Sequence, residues 1–394
     1  MNCWHNSVHE RNDMSTQEEK TRKALDSLSR YCKAMGYQGW DNFDGLNSRI
    51  VDSAPFHYSY ILRLIWIQFF KRFPLNLRKL TLVPKGYNPK GLALFVSGLV
   101  YSGQYDEAKS LIDILMKLSS PGYNNVCWGY NFDWQSRKFL TPKSTPNLVV
   151  TVFVVNALLD YYKATGDHKY FDLAVSGCNF YLDNLILFED PDSLCFQYMP
   201  GSRGKVYNVS MLGATALARV YQINRERALY DKSKKAMIYA IRALQKDYSW
   251  TYAENRKFID NFHTGFNLVS LCKWMEYTDD YCWERELKGA YNYYLKTFWL
   301  ENWCPKYYHN SLYPIDIHCS AQGIVTLLKL MPYNTNSIEL AGKIADWAIN
   351  NMQDNSGYFY YQKTRFYTNS IPYMRWSQAW MFYALSMLNY SYTQ

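Results

Sequence analysis

The sequence has no CxxC pair, no run of five or six Lys and Arg, and no Pro-, Gly- or Ser-rich stretch that would mark a linker. The first absence excludes zinc-finger and zinc-ribbon domains. The second, with no recognisable nucleic-acid module, argues against nucleic acid as a partner. The third leaves 394 residues without an internal boundary, so residues 15–394 are expected to form one domain behind a disordered segment, 1–14. A P-loop, a dinucleotide fingerprint and a GxSxG elbow are also missing. Apolar runs such as "LVVTVFVVNALL" from Leu148 fall short of the roughly 20 residues of a membrane span, so no transmembrane segment is expected. The amino end, "MNCWHNSVHERNDMSTQEEK", has no apolar h-region of a secretory signal. Nine cysteines, an odd and unpatterned set, point to free thiols in a reducing compartment and hence to the cytoplasm. No cofactor or metal is implied, and the oligomeric state is left open.

What is abundant is aromatic: 37 Tyr, 20 Phe and 13 Trp. Such faces suit sugar rings as well as cores. The net charge of +9 is spread over the chain as a solvated basic surface, compatible with an anionic glycan.

The chain repeats. Apolar, small-residue-rich helices are predicted to begin near Gly91, Asn147, Asn208, Phe262, Ile317 and Arg375, at intervals of 56, 61, 54, 55 and 58 residues. Each of the first five precedes an amphipathic helix, for example "YDEAKSLIDILMKL" or "SIELAGKIADWAINNM". Helices apolar on all sides are buried, and helices with one apolar stripe lie outside. Short aromatic stretches follow most outer helices ("CWGYNF", "CFQYMP", "SWTYAE", "CPKYYH", "GYFYYQ") and predict small β-ribbons. The last inner helix, "RWSQAWMFYALSMLNY", lacks a partner, while the early helix "TQEEKTRKALDSLSRYCKAM" is unpaired. Pairing the two closes a ring. The predicted fold is all-α, an (α/α)6 toroid with β-ribbons in the loops at one face.

This ring of helix pairs resembles the six-hairpin glycosidase superfamily. The phrases "GWDNFDGLNS", "NPKGLALF", "CWGYNFDWQSR", "TPNLVVTVF", "DNFHTGFNL", "PIDIHCSAQ" and "PYMRWSQAWM" also resemble a family encoded in bacterial and archaeal polysaccharide gene clusters. The resemblance spans nearly the whole chain. It implies the toroid fold and a carbohydrate substrate, a poly- or oligosaccharide in polysaccharide synthesis or processing, without implying a mechanism.

In such a ring the amino ends of the inner helices gather at one mouth. Asp133, Asp260, His263, Asp316 and His318 are the candidate catalytic groups there. Glycosyl chemistry needs one carboxyl to protonate the leaving oxygen and another to activate water or attack carbon. The substrate-binding candidates are Asp41, Asp44, Trp128, Tyr130, Trp134, Asn208, Trp250, Tyr252, Asn261, Gln322, Arg375, Trp376 and Gln378. Each has a plainer reading. Asp260 and Asp316 stand where an N-cap belongs, the histidines suit hydrogen-bonded core positions, many aromatics must fill the core, and Arg375 suits an ion pair with a loop Asp. A glycoside hydrolase fits best. A uronyl C5-epimerase or lyase, using His or Tyr as base and a cation on the substrate carboxylate, is the main alternative. A non-catalytic glycan-binding protein and a terpene-cyclase-like toroid remain, the latter without its DxDD or DDxxD cluster.

Overall fold

The computed structural model describes residues 2–51, 55, 56, 58–136 and 139–394, with side chains described from 16 onward. Helices α1 (Asn2–Ala34) and α2 (Tyr60–Arg72) precede the repeats. Helix α1 starts inside the 1–14 stretch expected to be disordered, whose side chains lie outside the described residues. The inner helices are α3 (Pro89–Tyr101), α5 (Leu148–Thr165), α7 (Tyr207–Asn224), α9 (Asn261–Thr278), α11 (Ile317–Lys329) and α13 (Trp380–Tyr392). The outer ones are α4 (Tyr105–Lys117), α6 (His168–Asn184), α8 (Arg227–Ile241), α10 (Glu284–Thr297) and α12 (Ser337–Met352).

Each inner helix packs on the next, and α13 returns to α3, so the ring closes. Helix α1 packs on α13 and α12, supplying the missing outer partner. At the closing seam a Cβ on Gly98 would lie 2.7 Å from Phe382 Cδ1, so α3 and α13 can approach this closely only at a residue without a side chain. The chemistry of the helices explains the layers. Inner α11 is buried at every position but its last, whereas outer α10 buries Leu287, Ala290, Tyr291 and Tyr294, one stripe at helical spacing. Helix α5 is long and apolar enough, by length and composition, to cross a membrane, contrary to the sequence reading; 61% of it is buried inside the protein.

The ribbons set which end is the mouth. β1 (Trp134–Gln135) pairs with β2 (Leu140–Thr141), β3 (Ile186–Glu189) with β4 (Leu194–Phe196), and β5 (Ile315–Asp316), β6 (Gln362–Lys363) and β7 (Thr368–Asn369) form a three-stranded sheet. Around "CWGYNF", "SWTYAE" and "CPKYYH" the ribbons shrink to isolated bridges. After each of three outer helices the aromatic segment turns back onto the partner inner helix. Tyr198 O accepts from Leu148 N (2.9 Å), Tyr307 O from Asn261 N (2.9 Å) and Tyr361 O from Ile317 N (3.2 Å). Ribbons and inner-helix amino ends therefore share one face.

Helix α2 has no counterpart in the repeat reading. Ile67 and Phe70 face inward, while Ile61 and Ile65 are more than half exposed. It lies against the Asp44–Asn47 turn and β1, roofing one side of the mouth.

Eight cysteines among the described residues are unpaired. Titration of denatured, unreduced protein is expected to find at least eight reactive thiols; a count of four or fewer would contradict this arrangement.

Candidate active site at the ribbon face

Four of the six inner helices begin on the same device. Asn88 accepts from Lys90 N (3.1 Å), Asn147 from Val150 N (2.9 Å), Asp260 from His263 N (2.9 Å) and Asp316 from His318 N (2.9 Å). A cap needs one side-chain oxygen, which an amide supplies as well as a carboxylate. The carboxylates at 260 and 316 must therefore be judged by their other oxygen.

Asp260 uses it on a histidine: Oδ2 lies 2.7 Å from His263 Nδ1. The aspartate side chain is 1% exposed and the imidazole 22%, so a buried carboxylate orients a ring that reaches solvent. Tyr252 meets that ring edge-on at 4.7 Å, and Phe262 lies tilted against it at 4.3 Å. Asp316 is fully buried and engages two further donors, Gln362 Nε2 at 2.6 Å from Oδ2 and Trp376 Nε1 at 3.0 Å from Oδ1. Burial pushes its carboxyl up to about 6, against the hydrogen bonds that pull it down.

His318 follows Asp316 and is 1% exposed. Its ring stacks on Phe262 (4.6 Å, 13°) and touches Trp380 (4.5 Å) and Trp376 (4.7 Å), yet neither ring nitrogen has a hydrogen-bond partner. Burial first, then the charges of Lys90 and Arg375, holds the imidazole well below its usual value and hence neutral. Phe262 therefore links the two histidines, and Trp376 links His318 to Asp316.

Arg375 takes the plainer role. Its Nε and Nη2 grip Asp41 at 2.6 and 2.7 Å, both side chains under 5% exposed. Next to it, Arg78 Nε binds Asp44 (2.7 Å) and Arg78 Nη2 the Asp41 carbonyl (2.9 Å). Burial outweighs Arg78 at Asp44 and pushes that carboxyl up to about 6. The Arg375 pair holds the "GWDNFDGLNS" loop onto the segment before α13, and the Arg78 pair holds it onto the segment after α2. That segment, Met374–Ala379, is a π-helical turn. Such turns shift the register of side chains and occur often at functional sites; this one carries Arg375, Trp376 and Gln378 together.

The remaining candidates separate cleanly. Tyr130 lies under the Arg375 guanidinium (5.0 Å) and against Tyr198 (3.2 Å between hydroxyls), at the mouth. Asn208, in the first turn of α7, is buried with Oδ1 unpartnered, as is Gln322 Oε1 in α11. Asp133 stays in its hairpin, accepting from Lys143 N (2.6 Å), and Trp134 packs near Leu46, Val51 and Ile67; among the described residues no hydrogen bond joins Asp133 to Asp260 or Asp316. Trp128 and Trp250 are core. Each indole donates to the end of an outer helix, at Leu115 O (2.7 Å) and Ala240 O (3.0 Å). Asn261 is held by Tyr294 of α10 (2.9 Å), and Gln378 clamps Phe359 through both N and O at 2.8 Å. These four are scaffold.

Sequence reasoning missed Lys90 and Lys71. Lys90, 4% exposed, stands in the first turn of α3; its signal was a lone charge in an otherwise apolar helix, "PKGLALFVSGLVY". Lys71 comes from α2, lies over Phe43 (4.8 Å), and its charge bears on Asp316. Among the described residues no cluster of three or more His, Cys, Asp or Glu is placed to hold a metal ion.

No protein-family model matches this chain, and no curated protein matches its sequence. Solved structures do match in fold. An unsaturated glucuronyl hydrolase specific for heparin aligns over 95% of this chain and 96% of its own, at TM-score 0.62 and 12% identity. Cellobiose 2-epimerase from Bacillus thermoamylovorans aligns over 77% and 87%, at 0.61 and 10%. A GH76 mannosidase from Bacteroides thetaiotaomicron aligns over 96% and 98%, at 0.58 and 10%. At these identities the likeness is one of architecture, and it establishes that the chain has the six-hairpin (α/α)6 toroid fold.

Proposed function

We propose that this protein is a carbohydrate-active enzyme working by general acid–base catalysis at the ribbon-side mouth, on a poly- or oligosaccharide. We read residues 15–394 as one unit, since α1 completes the ring around that mouth. One observation carries the proposal: the buried Asp260 holds His263 by Nδ1 while the ring remains partly exposed. We assign the Nδ1 proton to this hydrogen bond, which leaves Nε2 as the basic nitrogen. A carboxylate that orients an imidazole in this way also stabilises the imidazolium formed when Nε2 takes a proton. Asp316, whose buried carboxyl retains its proton to about 6, is the acid. The aromatic rings around both, Tyr252, Phe262 and Trp376, give a sugar its apolar faces.

Hydrolysis and epimerisation both use such a pair. The epimerase or lyase reading gains from one specific observation: the other central carboxylates, Asp41 and Asp44, are tied to arginines, so the free base is an imidazole and not a second carboxylate. Incubating the protein in D2O with neutral and uronic oligosaccharides, followed by NMR, separates the two. Hydrolysis gives new reducing ends with neither carbon-bound deuterium nor a new double bond; lysis gives new reducing ends with a C4–C5 double bond on the other fragment; epimerisation places deuterium on the inverted carbon. Sugars that bind without any of these changes would overturn the enzyme reading in favour of a binding protein.

A further inference from the structure

Among the described residues, the buried arginines of the ring have anions. Arg78 has Asp44, Arg375 has Asp41, and Arg219 has Asp160. Lys90 does not. Its Nζ lies 4.1 Å from the centre of the Phe153 ring, 5.4 Å from Phe266 and 5.4 Å from Trp380, and no acceptor among the described residues takes a hydrogen bond from it. Burial, and then the Arg375 charge, hold its ammonium well below the usual lysine range. Asp41 opposes this from a distance, with its oxygens already engaged by Arg375. Face contacts with aromatic rings soften the loss of water without replacing a counter-charge.

His318 shares those walls. Its ring lies 4.5 Å from Trp380 and 6.0 Å from Phe266, the same rings that flank Lys90, and both its nitrogens are unpartnered. Two buried polar side chains without partners thus converge beneath the mouth, where the inner-helix amino ends add positive potential. Buried polar groups are mostly satisfied, and among the described residues His318 alone has two buried side-chain polar atoms without a partner, so it and the counter-ion-free Lys90 beside it are where a ligand would complete the structure.

We propose that Lys90 and His318 form an anion-binding floor of the sugar site, receiving a carboxylate or phosphate borne by the substrate. The inference rests on the carbohydrate reading above and narrows it to acidic sugars. Lys90 supplies the charge and His318 one N–H donor. The surrounding rings exclude water, which strengthens the attraction.

The test uses the full chain, wild type and Lys90→Met, which keeps the apolar stem of the side chain. Thermal shift and calorimetry are run with glucuronate, galacturonate, glucose 6-phosphate and their neutral parents, as monosaccharides and as short oligosaccharides. The expected result is that at least one acidic member binds wild type about tenfold or more tighter than its neutral parent, and that Lys90→Met removes this preference. Uronates against sugar phosphates then identifies the group. Ligand-free Lys90→Met should also melt higher than wild type, because an uncompensated buried charge has gone; a merely structural lysine would leave the variant melting lower. Neutral parents binding as tightly, with Lys90→Met unaffected, would overturn the floor and leave the carbohydrate reading intact. Failure of every sugar to bind would overturn both.

Discussion

Replacing Asp41 with Ala is expected to cost about 3–5 kcal/mol of folding stability, the range for stranding one partner of a buried ion pair. The side chains of Asp41 and Arg375 are 4% and 3% exposed and share two hydrogen bonds of 2.6 and 2.7 Å. In the variant the guanidinium keeps a 3.3 Å contact with Asn42 Oδ1 and the rings of Tyr130 and Trp376, none of which carries charge. Guanidinium denaturation of wild type and variant measures the loss. The double variant Asp41→Leu with Arg375→Met should recover most of it, because the expense lies in the unpaired charge and not in the missing bond. A single-variant loss below about 1 kcal/mol would mean that the pair is solvated, and that Arg375 is free to meet a ligand.

That outcome bears on what the sequence could reveal. The ring was legible because its period is long and regular, and because six apolar helices with five amphipathic partners leave one unpaired end at each terminus. Helix α2 was not legible in those terms. It lies outside the repeat and leaves Ile61 and Ile65 more than half exposed, so neither the buried nor the one-stripe pattern describes it. At the site, sequence could place Asp260 and Asp316 at helix starts, since caps are local. Asn88 and Asn147 carry the same local signal, so capping alone does not set the carboxylates apart; what sequence could not show is where their second oxygen goes, to His263 at Asp260 and to Gln362 at Asp316. Trp128 and Trp250 illustrate the converse. Both lie in aromatic ribbons that suggest a sugar platform, but their indoles are spent on carbonyls at outer-helix ends. Direction is a tertiary property, and residue type does not carry it.

Asp316→Asn is expected to lower kcat by about 10²–10⁴-fold, the span of a lost general acid or base, while leaving α11 capped by its side-chain amide oxygen. Wild-type activity should fall as pH rises through about 6, since an acid must be protonated and burial sets this carboxyl there. A sugar that displaces the Trp376 indole, a donor to Asp316, puts an acceptor, the leaving oxygen, in its place to receive the carboxyl proton. In Asp316→Asn the residual activity should lack that limb, whereas His263→Gln should lower kcat comparably and retain it. Stability gives an independent check on the same group. Its folded-state value lies above the ordinary 3.8, so the folded protein holds the proton more tightly and loses stability as pH rises from about 4 to about 6. The Asn variant should be flatter over that window. Should Asp316→Asn keep both its rate and its limb while loosening Trp376, seen as a changed indole fluorescence, the carboxyl is an anchor for the tryptophan and the acid lies elsewhere.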